Sequence, residues 1–222
     1  MLYLVPTPIG NLKDITLRAI ETLKEVDLIL AEDTRVTSKL LKHYSIDNPT
    51  RSYHAHNEHK ITDSLITDLK NGKNYALVTD AGTPAISDPG FLLVRAAWQS
   101  GLKVSSLPGP TALISALSGS GLPADKFHFE GFLPAKKGRN KRLEFLRSYP
   151  FTIVLYESPY RLIKTLTDLS VIVENKRQVC IVKEISKIYE SFTTDYPDVL
   201  IEELKSITKI KGEYVLIVEP VN

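Results

Sequence analysis

The chain has 222 residues, 43% of them hydrophobic and 24% charged, a composition that is ordinary for a folded protein with a sizeable core. The net charge of +2 is too small to indicate a nucleic-acid binder by itself, so local charge must support any such function. One cysteine, Cys180, excludes a disulfide framework and favours a cytoplasmic location, and the sequence predicts neither a signal peptide nor a membrane span.

The first half of the sequence alternates short apolar runs with amphipathic segments. Strands are predicted at Leu2–Val5, Asp27–Ala31, Tyr75–Thr79 and Lys103–Leu107. Helices are predicted over residues 16–26, 35–44, 61–70 and 90–100. This alternation is typical of an α/β domain with a mainly parallel sheet.

A stretch rich in glycine, proline and serine breaks this rhythm near residues 110–122. We place the domain boundary there, which predicts domains of residues 1–112 and 113–222. In the second half, helices are predicted at Ala112–Leu117, 139–148, 160–169 and 197–206. Strands are predicted at Phe127–Gly131, Thr152–Tyr156, Gln178–Lys183, Glu190–Thr194 and Tyr214–Glu219. Because this half has fewer helices per strand, antiparallel strand pairs are expected in it.

Small, turn-forming or charged residues follow six of the predicted strands. In chain order these segments are PTPIGN, EDTR, DAGTPAISDPG, PGPTA, ESPYR and EISK. Ligands of open parallel sheets collect at the carboxyl ends of strands, so these segments are candidate binding loops. Strand ends also carry turn residues for structural reasons, which explains the glycines and prolines better than Glu32, Asp33 and Glu157. Motifs typical of P-loop, zinc-protease, serine-hydrolase and thiol-redox proteins are absent from the sequence.

The segment DAGTPAISDPG places a carboxylate, Asp80, directly after a predicted buried strand. Its oxygens can accept hydrogen bonds from hydroxyl or ammonium groups, and Gly82 allows the backbone to approach a ligand closely. We therefore predict ligand contact for Asp80 and Gly82. For Asp88 a structural role is favoured, as part of an Asx turn with a helix N-cap at Ser87 or Asp88.

The segment EDTR allows both a structural and a functional interpretation. Asp33 or Thr34 is a good helix N-cap, whereas Glu32 and Asp33 are also candidate acid–base groups. Arg35, one residue into the predicted helix, either binds a phosphate or is a solvated first-turn charge.

The segment YHAHNEHK contains three histidines and Glu58. His54 and His56 would share a face if the segment were a strand, which is weakly typical of a metal site. No cysteine or second carboxylate supports a metal, so a polar loop that faces a substrate is favoured and no metal is expected.

The segment PAKKGRNKRLEFLRS is the most basic part of the chain. It contains Lys136, Lys137, Arg139, Lys141, Arg142 and Arg147, with Glu144 as its only acid. Such density indicates either a contact surface for a polyanion or a solvated loop and helix face.

Seven ordered segments between residues 2 and 219, among them PTPIGN, LVTDAGTPAISDPG, YESPYR and KGEYVLIVE, resemble one known family. They are similar to the 16S ribosomal RNA 2′-O-ribose methyltransferases, a branch of the tetrapyrrole methylase superfamily. The resemblance implies two α/β domains of the class III methyltransferase type with a ligand cleft between them. It also implies S-adenosylmethionine as methyl donor, a homodimer, and a cytidine of 16S ribosomal RNA or of the small ribosomal subunit as substrate.

The resemblance also implies roles for individual positions. The implied donor-binding residues are Pro6, Asp80, Ala81, Gly82, Thr83, Thr111, Ala112, Tyr156, Gly212 and Glu213. The implied substrate-side candidates for the base that takes the ribose proton are Glu32, Asp33, Glu58 and His54. On chemical grounds, a lysine with a lowered pKa, such as Lys183, is a further candidate. The implied RNA contacts are Arg35, His54, Lys136, Lys137 and Arg139. The first domain is expected to face the substrate, and the second to complete the donor pocket.

Two other functions stay open at this point. A tetrapyrrole methyltransferase would share the fold and the donor, but a corrinoid site has no evident use for the basic segment. A non-catalytic RNA- or ribosome-binding module would retain the fold without binding the donor. Members of the family often carry an additional C-terminal segment, whereas this sequence ends at Asn222. If that segment grips the ribosomal subunit, another contact is expected to replace it, or the substrate differs.

Overall fold

The computed structural model describes residues 1–174 and 176–221. The chain divides into two compact units, the first Met1–Thr111 and the second beginning at Ala112. Each unit is built around its own five-stranded sheet. Within the described ranges, no helix is both long enough and apolar enough to cross a membrane.

The first unit alternates strands and helices along the chain. Its strands are β1 (Leu2–Leu4), β2 (Leu28–Ala31), β3 (Thr50–Ser52), β4 (Tyr75–Val78) and β5 (Val104–Ser106). Its helices are α1 (Leu17–Glu25), α2 (Thr34–His43), α3 (Glu58–Lys70) and α4 (Phe91–Gln99), with a short 3-10 helix at Leu12–Asp14. The strands pair in parallel in the order β3-β2-β4-β1-β5, which confirms the predicted parallel α/β arrangement.

Both faces of the first sheet are buried, because successive strand residues point to opposite sides and helices cover each side. On one side, Ile29 and Ala76 pack with apolar residues of α1 and α2. On the other side, Leu30 and Leu77 pack with apolar residues of α3 and α4. Since all the strands run in parallel, their carboxyl ends meet at a single edge of the sheet, where the loops of the candidate site begin.

Strand β3 is the strand that the sequence patterns miss. It consists of Thr50, Arg51 and Ser52, none of which is apolar, and it pairs only with β2 at the edge of the sheet. An edge strand needs one partner and is partly solvated, so the apolar run that marks the buried strands is absent here.

The second unit has a mixed sheet. Its strands are β6 (Phe127–Phe132), β7 (Thr152–Glu157), β8 (Val179–Lys183), β9 (Ser191–Asp195) and β10 (Tyr214–Val218). Its helices are α5 (Ala112–Gly119), α6 (Arg139–Arg147), α7 (Leu162–Val173) and α8 (Pro197–Lys205). In the order β6-β7-β10-β8-β9, β6 and β7 are parallel whereas the β7–β10, β10–β8 and β8–β9 pairs are antiparallel, which confirms the antiparallel pairing expected in this half.

The core of the second unit also has two sides. Leu155 and Leu216 pack toward α6, α7 and α8, and Val154 and Ile217 pack toward α5. Cys180 lies among the residues on the α5 side and is fully buried, and this burial raises the pKa of its thiol. The thiol is therefore a small packing group.

Candidate functional site

Three loops are hydrogen-bonded to each other at the carboxyl edge of the first sheet. The Thr7 N–H donates to the Gly82 carbonyl at 2.9 Å, and the Gly82 N–H donates to the Thr7 carbonyl at 3.0 Å. The buried Thr7 hydroxyl donates to the Thr79 carbonyl at 3.0 Å. The Thr83 hydroxyl donates to the Pro110 carbonyl at 3.1 Å. The PTPIGN turn is thus joined to the loop after β4, which is itself joined to the loop after β5.

Two glycines make these close approaches possible. Gly82 has a φ of +91°, a conformation that residues with a side chain rarely adopt. A Cβ atom at Gly109 would lie 2.7 Å from Cβ of Pro6, so only glycine allows the loop after β5 to pack on that buried proline ring. Pro6 is therefore a buried packing residue, whereas Asp80 and Ala81 are exposed.

Acidic side chains gather where β2 and β4 end, because these two strands are neighbours in the sheet. The Asp33 N–H donates to Asp80 Oδ1 at 3.0 Å, and the Thr79 hydroxyl donates to Glu32 Oε2 at 2.7 Å. Burial first, and then the charges of Glu32 and Asp33, raise the pKa of Asp80. The structure thus brings together Glu32, Asp33 and Asp80, which lie far apart in the sequence.

Asp33 is the N-cap of α2, and Arg35 holds its carboxylate. The Arg35 N–H donates to Asp33 Oδ1 at 2.8 Å, and the Arg35 guanidinium donates to the same carboxylate through Nε and Nη2. These hydrogen bonds lower the pKa of Asp33 to about 2. A carboxylate with so low a pKa is a weak base near neutral pH, so Asp33 is a poor candidate for the proton acceptor.

Asp88 does not have the helix-capping role that the sequence interpretation favoured for this part of the chain. The predicted N-cap at Ser87 or Asp88 is wrong, because α4 begins at Phe91 and its N-cap is Gly90, with no side-chain capping bond. Asp88 is instead half-buried, and burial first, then the charge of Glu32, raises its pKa to about 6. The signal in the sequence was Pro89, which disfavours helical backbone at the residue before it and so separates Asp88 from the helix.

The raised pKa of Asp88 predicts a pH-dependent contribution to stability. Between its ordinary value of 3.8 and about 6, the folded chain binds this proton more tightly than the unfolded chain does, so the free energy of unfolding falls as pH rises through that window. The free energy of unfolding of the wild type is expected to fall relative to that of Asp88→Asn as pH rises across this range. Outside the range, the difference between the two proteins should stay constant. Urea denaturation of both proteins between roughly pH 3.5 and pH 7.5 measures the difference. A difference that does not change with pH would contradict the assignment.

The histidine segment forms a turn and the start of α3, not a strand. The His54 N–H donates to the Asn57 side chain at 2.9 Å, and the His56 N–H donates to Nδ1 of His54 at 3.2 Å. Glu58 is the first residue of α3, and the hydroxyl of the buried Tyr53 donates to its carboxylate at 3.4 Å. Because the segment is not a strand, His54 and His56 do not share a strand face, which was the basis for considering a metal site. Over residues 1–174 and 176–221, no group of three or more His, Cys, Asp or Glu side chains is placed to hold a metal ion.

In the second unit, Tyr156 connects β7 to the first turn of α5, the helix that begins at Ala112. Its hydroxyl accepts a hydrogen bond from the Leu113 N–H at 3.1 Å. Its ring makes edge contacts with Phe129 and Phe132, at centroid distances of 5.0 and 5.7 Å. Thr111, the last residue of the first unit, is half-buried.

Gly212 and Glu213 lie next to the segment that follows β8. The Glu213 N–H donates to Glu184 Oε1 at 2.9 Å, and Lys187 Nζ lies 3.0 Å from Glu184 and 2.9 Å from the Glu213 carboxylate. Gly212 has a φ of +105°, and a Cβ atom there would lie 2.8 Å from Cγ of Glu184. Lys183, the last residue of β8, is half-buried beside this cluster.

Gly212→Ala is expected to destabilise the chain more than Gly72→Ala. Both glycines have left-handed backbone, with φ of +105° and +90°, but a Cβ atom at Gly72 meets nothing within 4 Å. Gly72→Ala, the control, should lower the free energy of unfolding by about 1 kcal/mol through the backbone alone. Gly212→Ala should lower it by about 1–3 kcal/mol more, because its Cβ atom overlaps Glu184. Thermal and urea unfolding measure both losses, and equal losses would show that Glu184 moves aside without cost.

Arg139 is not part of the exposed basic surface, which corrects its expected role as an RNA contact. Only 4% of the residue is exposed. Its guanidinium donates to Asp168 Oδ2 at 2.7 Å, to the Thr165 hydroxyl at 2.9 Å and to the Pro134 carbonyl at 3.1 Å. Lys136 and Lys137, in contrast, lie on the exposed loop before α6. A buried guanidinium that is hydrogen-bonded in this way cannot reach a phosphate without breaking the unit's own contacts.

The same buried network includes Glu157, which the sequence singled out in the segment ESPYR. Its carboxylate accepts hydrogen bonds from the Thr165 hydroxyl at 2.6 Å and from Arg161 Nε at 2.8 Å. Arg161 also donates to the Leu133 carbonyl at 3.0 Å. Glu157 is therefore a structural residue, and the network holds the start of the loop that carries the exposed lysines.

The sequence comparisons identify the family. A family model described as tetrapyrrole (corrin/porphyrin) methylases matches residues 1–195. The chain belongs to the tetrapyrrole methylase family. Among its relatives, a protein named ribosomal RNA small subunit methyltransferase I from Escherichia coli O157:H7 is 48% identical over 220 residues, which are 98% of this chain and 77% of that one. A protein of the same name from Halalkalibacterium halodurans is 50% identical over 219 residues, covering 98% of this chain and 75% of its own.

Solved structures of other proteins share this tetrapyrrole methylase fold. Diphthine synthase aligns with a TM-score of 0.76 at 15% identity, over 99% of this chain and 89% of that one. Cobalt precorrin-4 methyltransferase aligns with a TM-score of 0.71 at 16% identity, over 98% of this chain and 94% of that one. At such identities the likeness concerns the fold alone, and it confirms the predicted fold class.

Proposed function

We propose that this tetrapyrrole methylase is an S-adenosylmethionine-dependent methyltransferase of small-subunit ribosomal RNA, and that it methylates the 2′ oxygen of a cytidine ribose in 16S RNA. One observation carries the proposal: identity of 48–50% over 98% of the chain with proteins named ribosomal RNA small subunit methyltransferase I. The protein acts in the cytoplasm as a homodimer, on 16S RNA or the small ribosomal subunit.

The loop after β4 has the chemistry that the methyl donor requires. The donor supplies a methyl group that is already activated on a sulfonium, so the protein's main task is to align the reacting atoms. Asp80 presents an exposed carboxylate to ammonium or hydroxyl groups, and the exposed Ala81 adds only a methyl group beside it. Gly82 is buried, and its N–H and carbonyl are both bonded to Thr7, so its part is to shape the loop. The family resemblance adds donor contacts at Thr83, Thr111, Ala112, Tyr156, Gly212 and Glu213.

A ribose hydroxyl is a poor nucleophile near neutral pH, so a residue of this chain accepts its proton during or after the transfer. Glu32 is oriented for this by the Thr79 hydroxyl, and Glu58 is held near the Tyr53 hydroxyl. Asp88, with a pKa of about 6, is a stronger base than Asp33. Glu32, Glu58 and Asp88 are thus the preferred candidates, and Asp33 positions Arg35.

Contacts to the RNA are assigned to exposed cations. Lys136 and Lys137 extend from the loop before α6, and 87% of the Arg35 side chain is exposed. His54, half-buried after β3, lies at the same sheet edge as Glu32. Lys136, Lys137 and Arg35 supply the positive charge that a phosphate backbone requires.

The test is methyl transfer to small ribosomal subunits from a strain that lacks the protein. With labelled S-adenosylmethionine, we expect donor-dependent label in 16S RNA, and mass mapping should place it on one cytidine ribose. Label at a base, or in a tetrapyrrole precursor but not in RNA, would contradict the proposed substrate. Absence of donor binding by calorimetry would instead leave a non-catalytic RNA-binding module.

A further inference from the structure

A row of aromatic rings, His128, Phe145, Tyr149 and Phe151, lies on the surface of the second unit. The ring centroids of His128 and Tyr149 are 5.0 Å apart, and Tyr149 lies 5.7 Å from Phe145 and 5.9 Å from Phe151. Phe145 and Phe151 remain 43% and 38% exposed. This aromatic row is therefore a continuous set of rings, built from β6, α6 and the turn before β7, in which Phe145 and Phe151 are exposed and His128 and Tyr149 are half-buried.

Cations stand at both ends of the aromatic row. The Arg142 guanidinium carbon lies 4.6 Å from the Phe145 ring centroid, and Lys126 Nζ lies 5.3 Å from that of Phe151. Lys141, next to Arg142 on α6, is exposed. Without the buried Arg139, six lysines and arginines stand against three acids between residues 125 and 147, so the surroundings of the row are positively charged.

Glu130, one of the three acids, positions this surface through an ion pair with Arg142 and a hydrogen bond with His128. Its side chain is 6% exposed and accepts hydrogen bonds from Arg142 Nε at 2.7 Å and from His128 Nε2 at 2.8 Å. Burial opposes ionisation, but the bonds from Arg142 and His128 lower the pKa of Glu130 below its ordinary value. The Glu130 carboxylate thus holds the His128 ring within the row and the Arg142 guanidinium at its end.

We propose that the aromatic row binds a single-stranded segment of the substrate RNA by base stacking, while Lys126, Lys141 and Arg142 contact its phosphates. This inference rests on the proposed function and adds a second RNA contact, continuous along α6 with the loop of Lys136 and Lys137. Aromatic faces flanked by cations are the combination by which proteins bind unpaired nucleotides.

A second copy of the chain fits this surface less well than RNA does. Because both ends of the row are cationic, any symmetric pairing of two rows would place like charges opposite each other. A polyanion complements both ends at once, and its bases supply flat apolar partners for the exposed rings.

The test uses the double variant Phe145→Leu, Phe151→Leu, which keeps apolar volume but removes the aromatic faces. Its binding to a labelled single-stranded RNA of roughly ten nucleotides is measured by fluorescence anisotropy at several salt concentrations. We expect affinity to fall about tenfold, while the dependence of affinity on salt stays the same because the phosphate-binding cations remain. The same RNA without its bases should bind both proteins equally.

Phe91→Leu is the matched control, since Phe91 is 62% exposed and lies under the Arg95 guanidinium at 5.0 Å, in the first unit. It should bind RNA as the wild type does. Unchanged RNA affinity in the double variant overturns the inference, as does a change in its oligomeric state by light scattering, which would assign the row to contacts between copies. Methylation of small subunits by the wild type tests the proposed function separately. If the wild type methylates small subunits but the double variant binds RNA normally, the inference about the aromatic row fails and the proposed function stands.

Discussion

Arg139→Met is expected to lower the free energy of unfolding by about 3 kcal/mol, the lower end of the cost of breaking a buried ion pair, because the Asp168 side chain is 28% exposed. The substitution leaves the carboxylate of Asp168 and the Pro134 carbonyl without their donor, and it removes one partner of the Thr165 hydroxyl. Methionine fills much of the arginine stem, so the loss reports the unpaired polar groups more than a cavity. Urea denaturation followed by circular dichroism measures it.

Arg147→Met is the control for this prediction. Arg147 lies on the same helix α6 and also pairs with an acid, Glu174 at 2.8 Å, but the two side chains are 48% and 50% exposed. Solvated ion pairs contribute about 0–1 kcal/mol, so this variant should remain close to the wild type. Similar losses in the two variants would show that the network around Arg139 is not the buried unit described above.

The burial of Arg139 also determines how the basic loop is tested. Reversal of charge at Arg139 would unfold the second unit, so a binding defect in such a variant would not report RNA contact. Lys136→Glu with Lys137→Glu changes only exposed side chains. This pair is expected to weaken RNA binding and to flatten its salt dependence, while donor affinity stays the same.

Asp80→Asn is expected to weaken S-adenosylmethionine binding roughly 10- to 100-fold, because it removes a charged acceptor that would hydrogen-bond the donor. The amide oxygen of asparagine can still accept the Asp33 N–H that Asp80 Oδ1 accepts at 3.0 Å. The loop should therefore keep its conformation, and the free energy of unfolding should change little. Isothermal titration calorimetry with the donor measures the affinity.

Asp63→Asn, on the exposed side of α3 in the same unit, is the matched control for the loss of one carboxylate. Its donor affinity should equal that of the wild type. If Asp80→Asn also binds the donor normally and both proteins are folded, then the loop after β4 does not bind the donor through its carboxylate, and the assignment of this edge is wrong.

The elements and the position of the site are largely determined by local patterns in the sequence. Runs such as those of β4 and β10 are apolar throughout because both of their faces are buried, and amphipathic spacing locates α1, α2 and α3. The parallel order of the first sheet brings the strand ends to one edge, so the segments directly after the strands were enough to select Glu32, Asp33 and Asp80 as candidates. The predicted N-cap at Asp33 was one of two interpretations that the sequence left open, and the structure supports it.

What a side chain contacts was decided by tertiary structure. Arg139 and Lys136 stand in one basic segment and look alike in the sequence, yet only Arg139 meets Thr165 and Asp168, which are 26 and 29 residues away. Asp88 resembled a helix cap until the fold placed it near Glu32 and raised its pKa. Sequence by itself determined the family, the alternation of elements and the loops that carry the chemistry, because these depend on neighbours along the chain. Burial, ion pairing and the aromatic row depend on partners that only folding brings together, so the tertiary structure alone could decide them.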